Sequence, residues 1–341
     1  MLILGIETSC DETAAAVIED GRVIRSNVVA SQADIHAKYG GIVPEIASRQ
    51  HMLTIVPVVE QVLEDADLEL HQLDGVAVTY GPGLAGSLLI GVNAAKGLAL
   101  AEELPFLGVN HLEGHIYATW LEDADPEVWP GFPLVCLIAS GGHTDLILME
   151  GHARFILVGR TRDDAAGEAF DKAARVLGLG FPGGPEIQRV SEASTGDEPP
   201  FTRPRIKDSL DFSFSGLKTA VLRRAEERGL YPPRGDSEPQ PQVVANVAGA
   251  FQEAVVGAMV QRTVQAATHY KAKGVLLGGG VAANLLLREE MGRQSPVPVV
   301  VPRPSLCTDN GAMIGAAAYF RLRNGPRYQW DLDVLPGLRL G

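Results

Sequence analysis

The chain has 341 residues, of which 46% are hydrophobic and 21% charged, so it can form about two folded domains and is not a disordered chain. Its cysteines, Cys10, Cys136 and Cys307, are odd in number and far apart, which excludes a disulfide framework and indicates a reducing environment. The N-terminus has no basic segment before its short apolar run, and Asn93 and Lys96 interrupt the apolar stretch 88–101. We therefore expect a cytoplasmic protein with no membrane partner.

The net charge of −13 is unevenly distributed. Residues 1–150 carry 22 acidic and 5 basic side chains, whereas residues 151–235 and 236–341 each have a net charge of +2. The acidic first half repels phosphate backbones, so a nucleic acid would bind the second half or require a basic partner. Taken alone, the charge favours the simpler interpretation that acidic helices keep the protein soluble.

The first thirty residues predict three strands, LILGIE, AAAVIE and RVIRSNVV, with a small polar loop after the first and a turn after the second. The same order returns after Pro133, where LVCLIA, DLILME and ARFILVG are separated by SGGHT and a second turn. Both triplets are followed by a helical pattern, at 47–65 in the first half and 243–269 in the second.

The parallel continues with a buried strand, a glycine-rich loop, a helix and a further short strand. GVAVT and FLGVN are the strands in the first half, and GVLLG and VPVVVP are those in the second. Each half therefore reads βββαβα, which predicts a duplicated α/β fold with lobes at 1–130 and 131–341 and a cleft between them.

Three glycine-rich or small polar loops occupy equivalent strand ends, at residues 8–13, 140–144 and 278–282. Backbone N–H groups in such loops can surround a phosphate, because glycine permits close approach and helix N-termini favour anions. One such loop is weak support, but three at equivalent places indicate a nucleotide or another phosphorylated ligand.

The second half also contains a proline-rich insertion at about 179–242. A basic cluster in it is the strongest nucleic-acid candidate on the chain, although such clusters are usually solvated helix faces. Its members are Arg203, Arg205, Lys207, Lys218, Arg223 and Arg224.

His111 and His115 are four residues apart, which places both imidazoles on one helix face, as a metal ion requires. Leu112 stands where the HExxH motif has its glutamate, which argues against a zincin, and two partly buried histidines are the alternative. Asp309 is expected at the N-cap of the last helix, and spacing alone favours a cap over a third ligand. Asp11, in the first polar loop, could orient a metal-bound phosphate or a water.

Nine motifs follow one another from Leu2 to about Arg323: GIETSCDETAAAV, YGPGLAGSLLIGV, NHLEGH, SGGHT, EAFDKAARVLGL, FPGGP, FSFSGLKTA, GGGVAAN and CTDNGAMIG. Together they resemble the tRNA N6-adenosine threonylcarbamoyltransferase family, whose bacterial members were formerly described as O-sialoglycoprotein endopeptidases. The resemblance implies the actin/Hsp70/sugar-kinase (ASKHA) fold, which agrees with the duplicated βββαβα pattern.

The resemblance also implies an acyltransferase activity. Members transfer a threonylcarbamoyl group from threonylcarbamoyl-AMP to N6 of the adenosine 3′ of the anticodon, in tRNAs that read codons starting with A, and release AMP (the t6A modification). The implied partners are tRNA, a paralogous subunit of the same fold and a small ATPase. Alternatives are a small-molecule kinase or carbamoyltransferase of this fold, a metalloendopeptidase, or a silent assembly subunit, although the histidine pair argues against the last.

The family's site residues match positions of this chain. The resemblance makes His111, His115 and Asp309 ligands of one Fe(II) per subunit, and the same ligand set also accommodates zinc. Asp309 is predicted to lie in the second lobe, so if it is the third ligand, the ion joins the two lobes. Asp11 becomes the catalytic candidate. The implied threonylcarbamoyl-adenylate pocket comprises Ile138, Ala139, Ser140, Gly141, Gly142, Asp171, Gly184 and Asn284.

Overall fold

The computed structural model describes residues 1–122, 129–203, 206–231, 240–323, 325 and 327–341. None of the three cysteines forms a disulfide. The strands are β1 (Leu2–Glu7), β2 (Glu12–Glu19), β3 (Val23–Ser31), β4 (Gly75–Gly81), β5 (Phe106–Asn110), β6 (Leu134–Ala139), β7 (Thr144–Gly151), β8 (Arg154–Arg160), β9 (Gly274–Gly278) and β10 (Val299–Val300). The α-helices are α1 (Ala33–Ala37), α2 (Pro44–Ala66), α3 (Ala85–Ala101), α4 (His111–Tyr117), α5 (Ala166–Leu177), α6 (Gly183–Ser191), α7 (Ser215–Glu227), α8 (Pro241–His269), α9 (Leu285–Gln294) and α10 (Gly311–Leu322). Short 3₁₀ segments lie at Leu70–Gln72, Ala118–Trp120, Gly280–Ala283 and Pro304–Leu306.

The strands form two five-stranded mixed sheets with the same internal order. The first runs β3-β2-β1-β4-β5 and the second β8-β7-β6-β9-β10. In each sheet the central strand has one antiparallel and one parallel neighbour. Strand β1 pairs antiparallel with β2 and parallel with β4, and β6 pairs antiparallel with β7 and parallel with β9. The predicted duplication of a βββαβα unit is therefore confirmed.

The chain folds into two compact units. The first comprises Met1–Trp129, Gly151–Phe155 and Pro302–Gly341, and the second comprises Pro130–Glu150 and Ile156–Val301. The last forty residues thus return to the first unit, whereas the sequence placed everything after residue 130 in the second lobe. The C-terminal residues reinforce this return, because Phe106 N donates to Arg327 O and Asn110 Nδ2 donates to Arg339 O.

Glycines explain why α10 packs on the first sheet. A Cβ added to Gly5 of β1 would lie 2.3 Å from the carbonyl oxygen of Gly311 and 2.4 Å from the amide nitrogen of Gly315. A Cβ added to Gly311 would lie 2.4 Å from the carbonyl carbon of Ala15 in β2. The helix and the two strands therefore meet backbone to backbone, which only residues without a Cβ allow at this distance. Chain order carries no sign of this contact, which is why the lobe boundary was predicted wrongly.

The other face of the first sheet packs against α2 and α3. Leu4 and Ile6 of β1 join a core with Val59 of α2, Val92 of α3 and Phe106 of β5, and all five side chains are buried. The first unit is therefore three layers, with α2 and α3 on one side of the sheet and α4 and α10 on the other.

Helix α8 is the central helix of the second unit. Among the described residues it is the one helix with the length and apolar composition of a membrane span, and 83% of its most apolar window is buried in the fold. It contacts α5, α6, α7 and α9 as well as β6 and β9. A helix at 243–269 was predicted from the sequence, and its burial in the core explains its apolar composition.

We expect Gly5→Ala to lower the free energy of unfolding by at least about 2 kcal/mol, because the new methyl group would overlap backbone atoms of α10 that cannot rotate away. Gly97→Ala is the matched control in the same unit. Gly97 is exposed in α3, a Cβ there would meet no described atom within 4 Å, and alanine should stabilise the helix by about 0.5–1 kcal/mol. Chemical denaturation of both variants measures the difference, and equal stabilities would contradict the close approach of α10.

Candidate functional site

Two buried histidines and one aspartate converge in the first unit. Helix α4 starts directly after β5, and its N-cap Asn110 accepts a hydrogen bond from Leu112 N at 2.9 Å. This turn places His111 and His115 one helical turn apart, both buried. Asp309 precedes α10, but the N-cap is Asn310, whose side chain accepts from Met313 N. The prediction that Asp309 caps this helix is therefore wrong, because the neighbouring residue Asn310 is the cap.

The three side chains form a compact donor set. Asp309 Oδ1 lies 3.1 Å from His115 Nε2 and 3.5 Å from His111 Nε2. The two imidazoles meet edge to face with ring centroids 4.7 Å apart, and the three potential ligand atoms all lie within 4.8 Å of one another. All three residues belong to the first unit, so the prediction that Asp309 comes from the second lobe and joins the lobes through a metal is wrong.

His115 supplies an independent test of whether a metal fits. Its side chain is 1% exposed, its Nδ1 has no hydrogen-bond partner among the described residues, and its Nε2 has only the 3.1 Å contact with Asp309 Oδ1, which lacks hydrogen-bond geometry. A buried polar nitrogen without a partner costs about 1–3 kcal/mol, and a metal bond would satisfy it. Two imidazoles with one carboxylate form a ligand set that suits Fe(II) and also zinc. The residues present therefore fit a divalent metal.

Carboxylates on both sides of His111 control its charge in the metal-free protein. Burial alone would lower the pKa of His111, but Asp309 and Glu7 outweigh it and raise that pKa to about 9. Burial would raise the pKa of Glu7, and the contact with His111 overcomes this and lowers it. His111 therefore carries a proton at neutral pH that a metal must displace.

Asp11 lies in the loop between β1 and β2, next to a residue that the sequence analysis missed. Burial, followed by the charges of Asp309 and Asp11, raises the pKa of Glu12 to about 9. The Asp11 side chain hydrogen-bonds to Glu12, and a carboxyl group with so high a pKa keeps its proton at neutral pH, so Glu12 can act as the donor in this contact. Two adjacent acidic residues in the sequence Cys10-Asp11-Glu12 could have indicated that Glu12 also lies near this site. The catalytic role of Asp11 remains a prediction.

Glu113, the glutamate of the NHLEGH motif, is wholly buried and bound by Arg321 of α10. The guanidinium donates to both carboxylate oxygens, with Nε–Oε1 at 3.0 Å and Nη2–Oε2 at 2.5 Å. A carboxylate held in a bidentate ion pair is not available to activate a water. This contact argues against the metalloendopeptidase alternative and shows that Glu113 ties α4 to α10.

In the second unit, the loop after β6 borders space that no described atom occupies. Ser140 N donates to His143 O, and Ser140 O accepts from Gly167 N at the start of α5. A Cβ added to Gly141 or Gly142 would meet no atom within 4 Å in the described part of the chain. Neither glycine has a positive φ, so the space beside the loop, and not backbone strain, distinguishes these positions.

Asp171 and Gly184 extend this open edge along α5. Asp171 stands one helical turn after Gly167, and its Oδ1 accepts from Gly183 N at 2.7 Å. Burial raises the pKa of Asp171 despite that hydrogen bond. A Cβ on Gly184 would again meet no described atom within 4 Å. The structure thus brings Ser140–Gly142, Asp171 and Gly184 to one side of α5.

Three other predicted pocket residues have structural contacts. Ile138 and Ala139 are wholly buried in β6, so only their backbone can face a ligand. Asn284 caps α9 by accepting from Leu287 N, and its Nδ2 donates to Gln252 Oε1 at 2.8 Å. The loop before it stays close to β6, because a Cβ on Gly279 would lie 2.4 Å from Ala139 O. Asn284 therefore positions this loop through its side chain.

Comparisons with known proteins agree on one family. Residues 23–316 match the sequence model of the family described as tRNA N6-adenosine threonylcarbamoyltransferase. Proteins of that name from Thermomicrobium roseum and Dehalococcoides mccartyi are 55% and 53% identical to this chain. The first alignment covers 98% of this chain and 95% of the relative, and the second covers 99% of both.

Solved structures support the fold at low identity. HypF from T. kodakarensis gives a TM-score of 0.62 at 14% identity, over 95% of this chain and 48% of HypF. The activator of the 2-hydroxyisocaproyl-CoA dehydratase from Clostridium difficile gives 0.52 at 14% identity, over 95% and 96% of the two chains. With the two sheets of identical order, these similarities establish the ASKHA-type fold.

We expect the affinity for Co²⁺ to increase as the pH rises, because the ion must displace the proton of His111. Below the pKa of about 9 each pH unit should raise the apparent affinity about tenfold, and above it the curve should level off. Titration of the visible Co²⁺ absorption between pH 6.5 and 8.5 measures this slope. His111→Asn should bind weakly and lose the slope, and a flat profile in the unsubstituted protein would contradict a protonated His111.

Proposed function

The chain belongs to the tRNA N6-adenosine threonylcarbamoyltransferase family, and from this we propose that it transfers a threonylcarbamoyl group to N6 of an adenosine in tRNA. The observation that carries the proposal is identity above 50% to proteins of that name along nearly the whole of both chains. The donor set of the buried His111 and His115 with the partly exposed Asp309 supports it independently. We place the reaction in the cytoplasm and the target at the adenosine 3′ of the anticodon.

The proposed donor is threonylcarbamoyl-AMP. An exocyclic amine is a poor nucleophile, so an activated mixed anhydride is needed: the N6–carbonyl bond forms, the carbonyl–phosphate bond breaks, and AMP and the N6 proton leave. The protein's task is to hold amine and carbonyl in line and to stabilise the phosphate that departs. The adenosine must also be unstacked from its loop for N6 to be reached.

We propose that His111, His115 and Asp309 hold one Fe(II) ion per subunit. When bound, this ion would supply Lewis-acid stabilisation of negatively charged oxygens. The support for a metal is the buried Nε2 of His115, which faces Asp309 Oδ1 without forming a hydrogen bond. The two-histidine, one-carboxylate chemistry favours Fe(II), with zinc as the second candidate.

The open loops of the second unit are the proposed adenylate site. Backbone N–H groups of Ser140, Gly141 and Gly142 would approach the ligand, and Asp171 and Gly184 would border it. The support is the empty space around Gly141, Gly142 and Gly184, because a side chain at these positions would fill the volume that a ligand needs. Asn284 would act by tying its loop to α9 and, through Gln252, to α8.

We propose that tRNA contacts the α7 surface of the second unit. Lys218 and Arg223 are exposed and form no ion pair with any residue that the structure describes. Arg224 instead pairs with Glu198 and covers the Phe201 ring at 4.7 Å, which makes it a structural residue. A groove of about 440 Å³ lies along α7, with Arg223 on its wall. Arg205 of the basic cluster lies outside the described residues.

A surface of α2 is the proposed docking site for protein partners, namely a paralogous subunit of the same fold and a small ATPase. Met52, Leu53 and Val56 are 61%, 71% and 59% exposed on adjacent positions of this helix. Contiguous exposed apolar side chains on a charged unit are typical of an interface. The acidic first half supports the same division, with protein partners on the first unit and tRNA on the second.

The transfer reaction itself tests the proposal. Purified protein incubated with tRNA, threonine, bicarbonate, ATP and the adenylate-forming enzyme, with and without the two partner subunits, should yield threonylcarbamoyladenosine in nucleoside digests analysed by mass spectrometry. Asp309→Asn should lower metal content and reduce transfer at least about 100-fold, because it weakens one of three ligands. Its thermal stability should persist, since Asn310 and not Asp309 caps α10.

Asp331→Asn is the matched control for that variant. It removes an exposed aspartate from the same unit and should leave metal content and transfer unchanged. Full metal occupancy with undiminished transfer in Asp309→Asn would contradict the metal centre. Turnover of nucleotide or carbamoyl phosphate without tRNA, and no modified nucleoside, would support a small-molecule kinase or carbamoyltransferase.

We expect Gly141→Val to abolish AMP binding while the fold is retained. The structure has room for the Cβ, so the side chain would occupy only the space proposed for the ligand. Gly292→Val in α9 is the control, because a Cβ there also meets no described atom within 4 Å and the position is remote from the loops. Calorimetric titration with AMP compares the two, and unchanged binding in Gly141→Val would place the adenylate elsewhere.

The double variant Lys218→Ala/Arg223→Ala should weaken tRNA binding and reduce its salt dependence by about two units of log–log slope, one for each lost phosphate contact. The control is Arg189→Ala/Arg293→Ala in the same unit, since those exposed arginines already pair with Glu186 and Glu290. Filter binding at several salt concentrations measures both slopes. Equal slopes in the two variants would show that α7 is only a solvated surface.

A further inference from the structure

Glu7 is a carboxylate in the core of the first unit. It is the last residue of β1 and is 0% exposed. A buried charge persists only if its oxygens are hydrogen-bonded. Thr79 Oγ1 of the neighbouring strand β4 donates to Glu7 Oε2 at 2.6 Å, and Ser9 N donates to Oε1. The remaining contact of Oε2 is His111 Nδ1 at 2.9 Å.

This contact fixes which nitrogen of His111 carries its proton when the imidazole is neutral. An ionised carboxylate can only accept hydrogen bonds, so Nδ1 must be the donor. Nε2 is then the nitrogen with a free electron pair, and it is the nitrogen that faces Asp309 Oδ1. The ring is thereby held in the tautomer and the orientation that a metal at Nε2 requires. Ser9 Oγ, 3.1 Å from Nδ1, supports the same orientation.

His115 has no equivalent support. Its Nδ1 has no hydrogen-bond partner among the described residues, and its Nε2 meets only Asp309 Oδ1, at 3.1 Å and without hydrogen-bond geometry. The ring is otherwise held by burial and by the edge-to-face contact with His111. The two histidines are therefore unequal as ligands. A carboxylate on the second nitrogen makes an imidazole a stronger electron donor to a metal, and loss of such a partner typically weakens metal binding about 10–100-fold.

We propose that Glu7 is a positioning residue that acts through His111, fixing its tautomer and making it the stronger of the two histidine ligands. Glu7 does not touch the metal position, because its carboxylate lies on the Nδ1 side of the ring, whereas Asp309 lies on the Nε2 side. The inference rests on the metal centre of the proposed function.

Zn²⁺ affinity and the state of the His111 proton test this role together. Glu7→Gln keeps the size of the side chain but presents a donor NH₂ where acceptors are needed. We expect zinc affinity, from competition with a chromophoric chelator, to fall about 10–100-fold. In the zinc-loaded protein labelled with ¹⁵N-histidine, the Nδ1–H proton of His111 should be far downfield and slow to exchange, and Glu7→Gln should lose this signal.

A double-mutant cycle separates positioning from a general effect on the fold. In a His115→Ala background Glu7→Gln should still weaken zinc binding by the same factor, whereas in a His111→Ala background it should have no further effect. An equal loss in both backgrounds would overturn the proposal, and so would unchanged affinity and an unchanged Nδ1–H signal in Glu7→Gln.

Thr79→Val is the second variant, in case Glu7→Gln does not fold. It removes one donor to Glu7 without touching His111, and it should weaken zinc binding and shift the Nδ1–H signal in the same direction by less. No change in either readout would overturn the proposal. If the unsubstituted protein binds no zinc or iron, both the proposed metal centre and this inference fail. If it binds the metal and the affinity is the same in the Glu7 and Thr79 variants, this inference alone is overturned.

Discussion

The close approach of α10 to β1 and β2 is the constraint on which the candidate metal centre depends. Gly5, Gly311 and the strand backbone meet at distances that exclude any side chain, so the N-terminal end of α10 is fixed against the first sheet. Asp309 immediately precedes that end, and its carboxylate is therefore delivered to the two histidines of α4. A rigid backbone contact of this kind positions a ligand more accurately than a flexible side chain could.

The C-terminal end of α10 is fixed by an ion pair. Arg321, in its last turn, forms the bidentate pair with Glu113, which lies between the two histidine ligands in sequence. Removing one partner of such a buried pair costs about 3–5 kcal/mol, so α4 and α10 are held together firmly. Glu113 of the NHLEGH motif thus has a structural explanation: it holds together α4 and α10, the two helices beside the candidate metal ligands.

The periodic and local features of the chain could be predicted from the sequence. Alternating apolar runs gave both strand triplets, and four-residue spacing placed His111 and His115 on one face, because these patterns depend only on neighbouring residues. The return of residues 302–341 to the first unit could not be predicted, since it depends on glycine contacts between segments three hundred residues apart. Glu7 was overlooked for the same reason. The cap that Asn284 forms on α9 also becomes visible only when the loop is folded, and its role in ligand binding stays a prediction.

The first unit is built from both ends of the chain, and this has a consequence for biosynthesis. The ribosome releases β1, β2 and α4 long before residues 302–341, and nearly the whole second unit is synthesised in between. Until that last segment emerges, the nascent chain lacks both the helix that packs on Gly5 and the aspartate that faces His111 and His115. A product truncated anywhere before Asp309 cannot complete the candidate metal centre or cover β1 with α10. Assembly of the three proposed ligands therefore has to follow synthesis of the second unit.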